Sequence, residues 1–250
     1  MKQISSLQNS TIKYINALQK KAVYRYAQEQ FVAEGIRTCF TLMEHQELDQ
    51  LYLTQELYNQ HKSRLKPEDC TIVDAQVIKK MSSLDTANGC VGIFHMPIFL
   101  HVFMPYSVAL INVTDPGNAG TLIRSATAMG MHTIIMVDGV DPYSPKVVQS
   151  SAGTIGQVPL IRVTIEEFLE QTKHIETTSL IIAGGSHPEA VNFHNSILLI
   201  GNEAHGLPQA ISEQTTHKVT LPMPGKTESL NAGVAGSIGL YIMMTQQNKI

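Results

Sequence analysis

Apolar and polar positions alternate in short stretches along the first hundred residues, which predicts small helices and strands taken in turn. The spacing of apolar residues predicts a first helix over residues 9–28. Further helices are predicted over residues 36–45, 56–61 and 75–81, and strands over residues 31–33, 51–53, 71–73 and 91–94. These elements indicate a small α/β domain.

The second half of the chain carries longer apolar runs of the kind that form buried parallel strands between helices. Strands are predicted here over residues 108–113, 133–137, 180–183 and 197–200. Pro97 and Pro105 interrupt regular structure between the two halves. We therefore predict an N-terminal α/β domain over residues 1–98 and a C-terminal α/β domain over residues 106–250, whose mainly parallel sheet is covered on both faces.

Composition and cysteine usage narrow the class of protein. The 250 residues are 43% apolar and 16% charged, which indicates a globular chain rather than a disordered one. The three cysteines lie far apart, and the ten histidines have no paired ligand spacing, so neither a disulfide framework nor a metal site is expected. The first ten residues do not resemble a secretory signal. We expect a protein of a reducing compartment, the cytoplasm.

Residues 95–113 are the most apolar stretch, yet they contain two prolines together with His101 and Asn112. Such a stretch makes a poor membrane-spanning helix, so no membrane association is expected.

Positive charge is concentrated at the start of the chain. Residues 1–25 carry five positive side chains and no acidic one, although the whole chain has a formal net charge of −3. Two interpretations remain open at this point, a face for a polyanion or an ordinary solvated helix.

Three segments that follow predicted strands carry unusual polar residues. The first, residues 112–126, has a Pro-Gly turn, after which Asn118 is predicted to cap a helix that carries Arg124. The second, residues 198–207, places Glu203 between Gly201 and Gly206. In the third, residues 221–236, a proline-rich loop leads through Ser229 and Asn231 into a helix of small residues.

Each segment alone has a structural explanation: a plain strand-to-helix turn, a tight loop with a solvated glutamate, or a closely packed helix. Patterns of other site classes are missing from the sequence. It has no GxxxxGK[ST], GxGxxG, HExxH, GxSxG or EF-hand pattern.

Read in order as DPGNxGxxxRxA, GNExxGL and LPMxGxxxSLN, the three segments resemble the motifs of the SpoU (TrmH-like) branch of the SPOUT RNA methyltransferases, over residues 108–246. Residues 32–35, Val-Ala-Glu-Gly before a helix, more loosely resemble the small substrate-binding module of that family. The resemblance implies a deep trefoil knot in the C-terminal domain, an exception to the rule that folds are unknotted. It also implies S-adenosylmethionine as methyl donor and an obligate homodimer with active sites at the subunit interface.

The resemblance also assigns residues. The positions that match catalytic or site-organising residues of the family are Asn118, Arg124, Glu203, Ser229 and Asn231. Donor contacts are expected at Gly201, Asn202, Glu203, Leu221, Met223, Ser229, Leu230 and Asn231. RNA contacts are expected from positive charge in the N-terminal domain, at Lys13, Lys20, Lys21, Arg25 and Arg37, together with the motif residue Arg124.

The expected reaction is methylation of a ribose 2′-hydroxyl, which must lose its proton as it attacks the donor methyl group. Arginine stays protonated in ordinary settings, so we favour a role for Arg124 in holding a phosphate. The N-terminal module resembles that of rRNA enzymes, and rRNA is therefore favoured over tRNA. A tRNA substrate, a base or non-RNA acceptor, and a non-catalytic RNA- or ribosome-binding factor remain alternatives.

Overall fold

The computed structural model describes residues 2–84, 86–225 and 228–247. In chain order the strands are β1 Lys2–Ile4, β2 Gln30–Glu34, β3 Leu48–Leu53, β4 Cys70–Val73, β5 Cys90–His95, β6 Ser107–Ile111, β7 Ile134–Val137, β8 Leu160–Val163, β9 Thr177–Leu180, β10 Ile197–Ile200 and β11 His217–Val219. The helices are α1 Ser10–Lys20, α2 Ala22–Gln28, α3 Ile36–Met43, α4 Gln55–His61, α5 Ala75–Met81, α6 Pro116–Ala128, α7 Pro145–Ser150, α8 Ile165–Thr172, α9 Gln209–Gln214 and α10 Ala232–Gln247. Within these described ranges, no helix combines the length and apolar character needed to cross a membrane.

The chain forms two compact units. The first contains the residues up to Ile98 together with Tyr143–Gly156, and the second contains Phe99–Pro142 and the residues from Gln157 onward. The first unit is thus built from two separate stretches of sequence.

The first unit has a five-stranded mixed sheet in the order β1-β4-β3-β5-β2, in which β5 runs antiparallel to both of its neighbours. Apolar residues of α1 and α5, among them Ile15 and Val77, pack on Val32 and Ile93 of one sheet face. The strand residues between these point to the other face of the sheet. Gly92, for example, lies against Cys39 of α3. Strand β1 was not predicted.

The predicted helix over residues 9–28 is two helices, because the backbone at Lys21 is extended, with φ −124° and ψ 108°. The Arg25 guanidinium lies over this break and donates to the carbonyls of Leu18 at 2.6 Å and Gln19 at 3.0 Å. These carbonyls lie at the C-terminal end of α1, where no further turn of the helix supplies N–H groups to them. The guanidinium of Arg25 supplies the donors instead. Arg25 is 4% exposed and bound to these carbonyls, so the structure gives no support to its predicted contact with RNA.

The segment Tyr143–Gly156 completes the first unit. The Tyr143 ring lies 5.1 Å from the Phe31 ring, and Phe31 stacks on Phe94 at 5.8 Å. Gly153 fits so closely that a Cβ there would lie 2.6 Å from the Thr38 carbonyl oxygen. This segment therefore forms part of the packing around β2 and α3.

The second unit has a six-stranded sheet in the order β11-β9-β10-β6-β7-β8, and every pairing is parallel. Helices α8 and α9 contribute Phe168 and Ile211 to the apolar core on one face. Helix α10 packs against Leu198 and Ile200 on the other face, beside α6. The predicted parallel α/β architecture is confirmed.

Two strands of this sheet, β8 and β11, were not predicted, and β9 was misplaced. We predicted a strand over the apolar residues 180–183, but β9 is Thr177–Leu180. Its polar residues are buried and bonded: the Thr178 and Ser196 hydroxyls lie 2.8 Å apart, and the Ser179 hydroxyl donates to the His217 carbonyl at 3.4 Å. Satisfied hydroxyls allow a polar sequence to form an inner strand.

Candidate active site

The three motif segments follow β6, β10 and β11. Because all strands of the second unit are parallel, their carboxyl ends lie at one edge of the sheet, where ligands bind in such folds. A cavity of about 420 Å³ opens at this edge. Its volume lies within the usual range of small-molecule sites, roughly 300–1,000 Å³.

The turn after β6 is organised by a cap other than the predicted one. The side chain of Asp115, rather than Asn118, caps α6, and its Oδ1 accepts from the Asn118 backbone N–H at 2.7 Å. Asn118 is the third helical residue and is 8% exposed. Its side chain is therefore free to donate elsewhere, from Nδ2 to Glu203 Oε1 at 3.0 Å.

The second oxygen of the same carboxylate also faces this turn. The Thr114 hydroxyl donates to Glu203 Oε2 at 3.5 Å, a long bond. The Glu203 carboxylate thus lies near the first turn of α6, where a negative charge is favoured by the helix dipole. This contact joins the first motif to the second, as the sequence interpretation requires for one shared site.

The loop after β10 closes on itself. Asn202 and Gly206 exchange backbone hydrogen bonds of 3.0 and 2.9 Å. A Cβ at Gly201 would lie 2.5 Å from the Gly206 carbonyl carbon, so only glycine fits there without moving the backbone. The second motif therefore presents its backbone directly to the cavity.

The third motif leads into α10. Asn231 Oδ1 accepts from the Val234 N–H at 3.2 Å, which caps the helix. Gly233 lies against Asn118, since a Cβ there would be 3.1 Å from Asn118 Oδ1. The Ser125 and Ser237 hydroxyls lie 2.8 Å apart further along. Small residues thus let α10 pack directly on α6, as the structural interpretation of this motif expected.

Most of the residues expected to contact a donor do line the cavity: Gly201, Asn202, Glu203, Leu221, Met223, Ser229 and Leu230. Asn231 is not part of the lining and caps α10 instead. The lining also includes residues that we did not predict, namely Leu180–Ala183, Ile200, Ala204–Leu207, Ala232, Ala235 and Gly236. Leu180–Ala183 lie at the carboxyl end of β9, and correct placement of that strand would have identified them.

Arg124 lies apart from this cavity. It is exposed on α6 and follows Asn118 by six residues, which places it about 9 Å further along the helix and roughly 120° around its axis. Asn118 faces α10 and Glu203, so Arg124 faces solvent. Within one chain, the structure does not bring Arg124 to the other four predicted catalytic residues.

The predicted RNA contacts of the first unit fall on two layers. Lys13, Lys20 and Lys21 are exposed on or next to α1, which packs on α5. Arg37 is exposed on α3, on the opposite face of the sheet. The structure therefore groups the three lysines and separates Arg37 from them.

The cysteine thiols and the possible metal ligands among the described residues were also compared with what catalysis needs. Burial raises the pKa of the Cys70 thiol to about 11. The neighbouring Cys90 thiol and burial hold the pKa of Cys39 well above its usual value. Such thiols stay protonated near neutral pH and are poor nucleophiles. Across the same described part of the chain, no group of three or more histidine, cysteine or acidic side chains is placed to hold a metal ion.

The sequence matches two family models. Residues 105–241 match the SpoU rRNA Methylase family, and residues 9–92 match the MRM3-like substrate binding domain.

Two curated relatives are named as 2′-O-methyltransferases of 23S rRNA. The chain is 26% identical over 251 residues to the 23S rRNA (guanosine(2553)-2′-O)-methyltransferase RlmP of Bacillus subtilis, covering 96% of this chain and 98% of that protein. It is 34% identical over 144 residues to the 23S rRNA (uridine(2479)-2′-O)-methyltransferase of Streptomyces viridochromogenes, covering 54% of this chain and 50% of that protein.

Solved structures also match over nearly the full chain. The AdoMet-bound rRNA methyltransferase from Sinorhizobium meliloti has a TM-score of 0.81 and 29% identity, with 97% of each chain covered. The family model matches more than half of the residues, and the fold brings the three motifs together at one edge of the sheet. This chain therefore belongs to the SpoU rRNA methylase family.

Proposed function

We propose that this protein transfers the methyl group of S-adenosylmethionine to a ribose 2′-hydroxyl in structured rRNA of the 23S type. One observation carries the proposal: the Asn118–Glu203 pair lies at the edge of the cavity in a chain of the SpoU family. The relatives from B. subtilis and S. viridochromogenes act on ribose 2′-hydroxyls of 23S rRNA by name, and the S. meliloti structure binds AdoMet.

The cavity suits a nucleoside-type donor. Leu221, Met223 and Leu230 give it apolar walls, which suit the two faces of an adenine ring. Gly201 lets the loop backbone approach closely, so its amides and carbonyls are available to the adenine edge. The donor supplies an electrophilic methyl group, and the protein's residues hold it in place.

The acceptor hydroxyl needs to be oriented and to lose its proton as the methyl group is transferred. Our proposal gives Arg124 the task of holding the neighbouring phosphate, because a guanidinium is a bidentate phosphate ligand and a poor base. Asn118, Glu203, Ser229 and Asn231 then organise the site around the acceptor and donor.

The distance of Arg124 from the cavity supports a homodimer in which Arg124 of one protomer serves the cavity of its partner. Helix α10 exposes Val234, Ile238 and Tyr241, which at this spacing share one face. An exposed apolar row of this kind suits a subunit interface. We further propose that the C-terminal unit has the deep trefoil knot of the family.

The first unit is proposed to bind the RNA, with the lysines at α1 contacting phosphates. Phosphate contacts supply most of the affinity in such complexes and position the target. The match of residues 9–92 to a substrate-binding domain supports this role. The 23S rRNA named for the two relatives favours rRNA over tRNA.

The test is transfer of labelled methyl groups to large rRNA, small rRNA and tRNA from cells that lack the protein, with Glu203→Ala as a control of strongly reduced but measurable activity. We expect a 2′-O-methylated nucleoside in the large rRNA alone. Label in tRNA alone would show that tRNA, and not rRNA, is the substrate. Donor binding without label in any pool, including precursor ribosomal particles, would favour a non-catalytic binding factor.

A further inference from the structure

Asn202 makes more side-chain hydrogen bonds than its neighbours in the loop after β10. Its Oδ1 accepts from the backbone N–H groups of Ala204 at 2.9 Å and His205 at 3.0 Å. Its Nδ2 donates to the carbonyl of Asn112, 90 residues earlier in the chain, at 2.8 Å. One half of the amide therefore shapes the loop, and the other half ties that loop to the end of β6.

The partner of this tie is held in an unusual conformation. Asn112 has a φ of +52°, in the left-handed region that few residues other than glycine and asparagine adopt readily. Its N–H donates to the Val137 carbonyl at 2.9 Å, which fixes it to β7 as well. The carbonyl that receives Asn202 is thus set by the sheet itself.

Glu203 follows Asn202 directly and projects onto the same turn. Its carboxylate accepts from Asn118 Nδ2 at 3.0 Å and from the Thr114 hydroxyl at 3.5 Å. The pairing of β10 with β6 ends at Ile200, so the Asn202–Asn112 bond continues the connection between the two segments up to the residue before Glu203. The tie fixes the backbone from which the carboxylate reaches Asn118.

We propose that Asn202 is a positioning residue for the transfer reaction: its amide locks the loop after β10 to the Asn112 carbonyl and so fixes Glu203 against Asn118. This inference rests on the proposed function and gives Asn202 a role different from the donor contact that its motif predicts. Its effect belongs to the orientation of the reacting groups, since a displacement of about 1 Å at an active site costs roughly 100-fold in rate.

Two variants separate the two halves of the amide. Asn202→Asp keeps the oxygen that accepts from Ala204 and His205 but replaces the donor to Asn112, whereas Asn202→Ala removes both. Each is measured by steady-state methyl transfer to rRNA, by calorimetric binding of S-adenosylmethionine and by thermal unfolding, both alone and combined with Glu203→Ala.

We expect both variants to lower kcat by about 10- to 100-fold, in line with a displacement of under 1 Å. For Asn202→Asp, the donor dissociation constant should stay close to that of the wild type, because the loop keeps its internal bonds. The unfolding midpoint should fall modestly, because the Asn112 carbonyl loses its donor. In the Glu203→Ala background, neither substitution should lower kcat much further, since residues acting through one group are strongly non-additive.

Weaker donor binding by Asn202→Asp with unchanged kcat would make Asn202 a donor contact and overturn the proposal. An equal loss of kcat with and without Glu203 would also overturn it, because the effect would not pass through that carboxylate. Failure of the wild type to methylate any RNA would instead remove the proposed function on which the inference rests.

Discussion

Gly201 offers the sharpest test of the loop that lines the cavity. In Gly201→Ala, the new Cβ would lie 2.5 and 2.7 Å from the carbonyl carbon and oxygen of Gly206 and 2.8 Å from the Leu207 nitrogen. Ordinary contacts begin at 3.4 Å, so this stretch of backbone has to retreat by about 0.6 to 0.9 Å. Main-chain atoms cannot rotate away as the end of a side chain can.

The retreat acts on the pair of backbone hydrogen bonds that closes the loop. The Asn202–Gly206 bonds of 3.0 and 2.9 Å would lengthen beyond the usual range of about 2.7–3.2 Å. Each such bond contributes about 0.5–1.5 kcal/mol, so their loss costs about 1–3 kcal/mol. If the bound state carries this cost, donor affinity falls about 5- to 150-fold.

The assay is calorimetric titration with S-adenosylmethionine, alongside thermal unfolding. Gly225→Ala is the matched control, because Gly225 lies two residues after the cavity-lining residue Met223 and a Cβ there would meet nothing within 4 Å. We expect the control to bind donor as the wild type does. Donor binding by Gly201→Ala within threefold of the wild type would refute the reasoning, since donor binding would then not depend on the closed form of the loop.

Four further predictions concern other parts of the molecule. Arg124→Lys should leave the unfolding free energy within about 0.5 kcal/mol of the wild type, because the residue is exposed, and should raise the KM for RNA more than it lowers kcat; a complete loss of kcat at saturating RNA would contradict phosphate holding. Lys13→Ala should weaken RNA binding and reduce its salt dependence by about one ion without lowering the unfolding midpoint, as filter binding at several salt concentrations would measure. Arg25→Ala should instead destabilise the fold, by about 1–3 kcal/mol in urea titrations, since it leaves the Leu18 carbonyl without its donor; equal stability of the two variants would be inconsistent with the burial of Arg25. Tyr143→Ala should cost about 3–5 kcal/mol of unfolding free energy, because a 6% exposed ring is lost from contact with Phe31, and an unchanged midpoint would show that the segment around Tyr143 is not required by the first unit.

The sequence predicts the site best where a polar motif directly follows a strand of the parallel sheet. Because the strands of the second sheet run parallel, the three motifs that follow them had to meet at one edge, and the Asn118–Glu203 bond joins two of them. The pattern is less informative about Asn118 as a cap. Asp115 lies three residues earlier, directly before Pro116, and proline favours the first helical position.

Other errors come from tertiary contacts that no local pattern contains. Thr178 and Ser179 form an inner strand because partners 18 and 38 residues away accept or donate to their hydroxyls. The break at Lys21 has no proline or glycine to mark it and is stabilised by Arg25 from the next helix. Whether Arg124 faces the cavity depends on how α6 is rotated about its axis. The sequence spacing from Asn118 to Arg124 predicts that direction only when the correct N-cap residue, Asp115, is known.

The composition of the first unit bears on how the protein is made. Its last strand, β5, ends at His95, yet the ring of Tyr143 and the turn at Gly153 belong to the same packing. A nascent chain therefore has to reach Gly156 before this unit is complete. At about 5–20 residues per second, residues 99–156 take roughly 3 to 12 seconds to synthesise. During that interval Phe31 lacks the Tyr143 ring that covers it, so the first unit is completed only after part of the second unit has been translated.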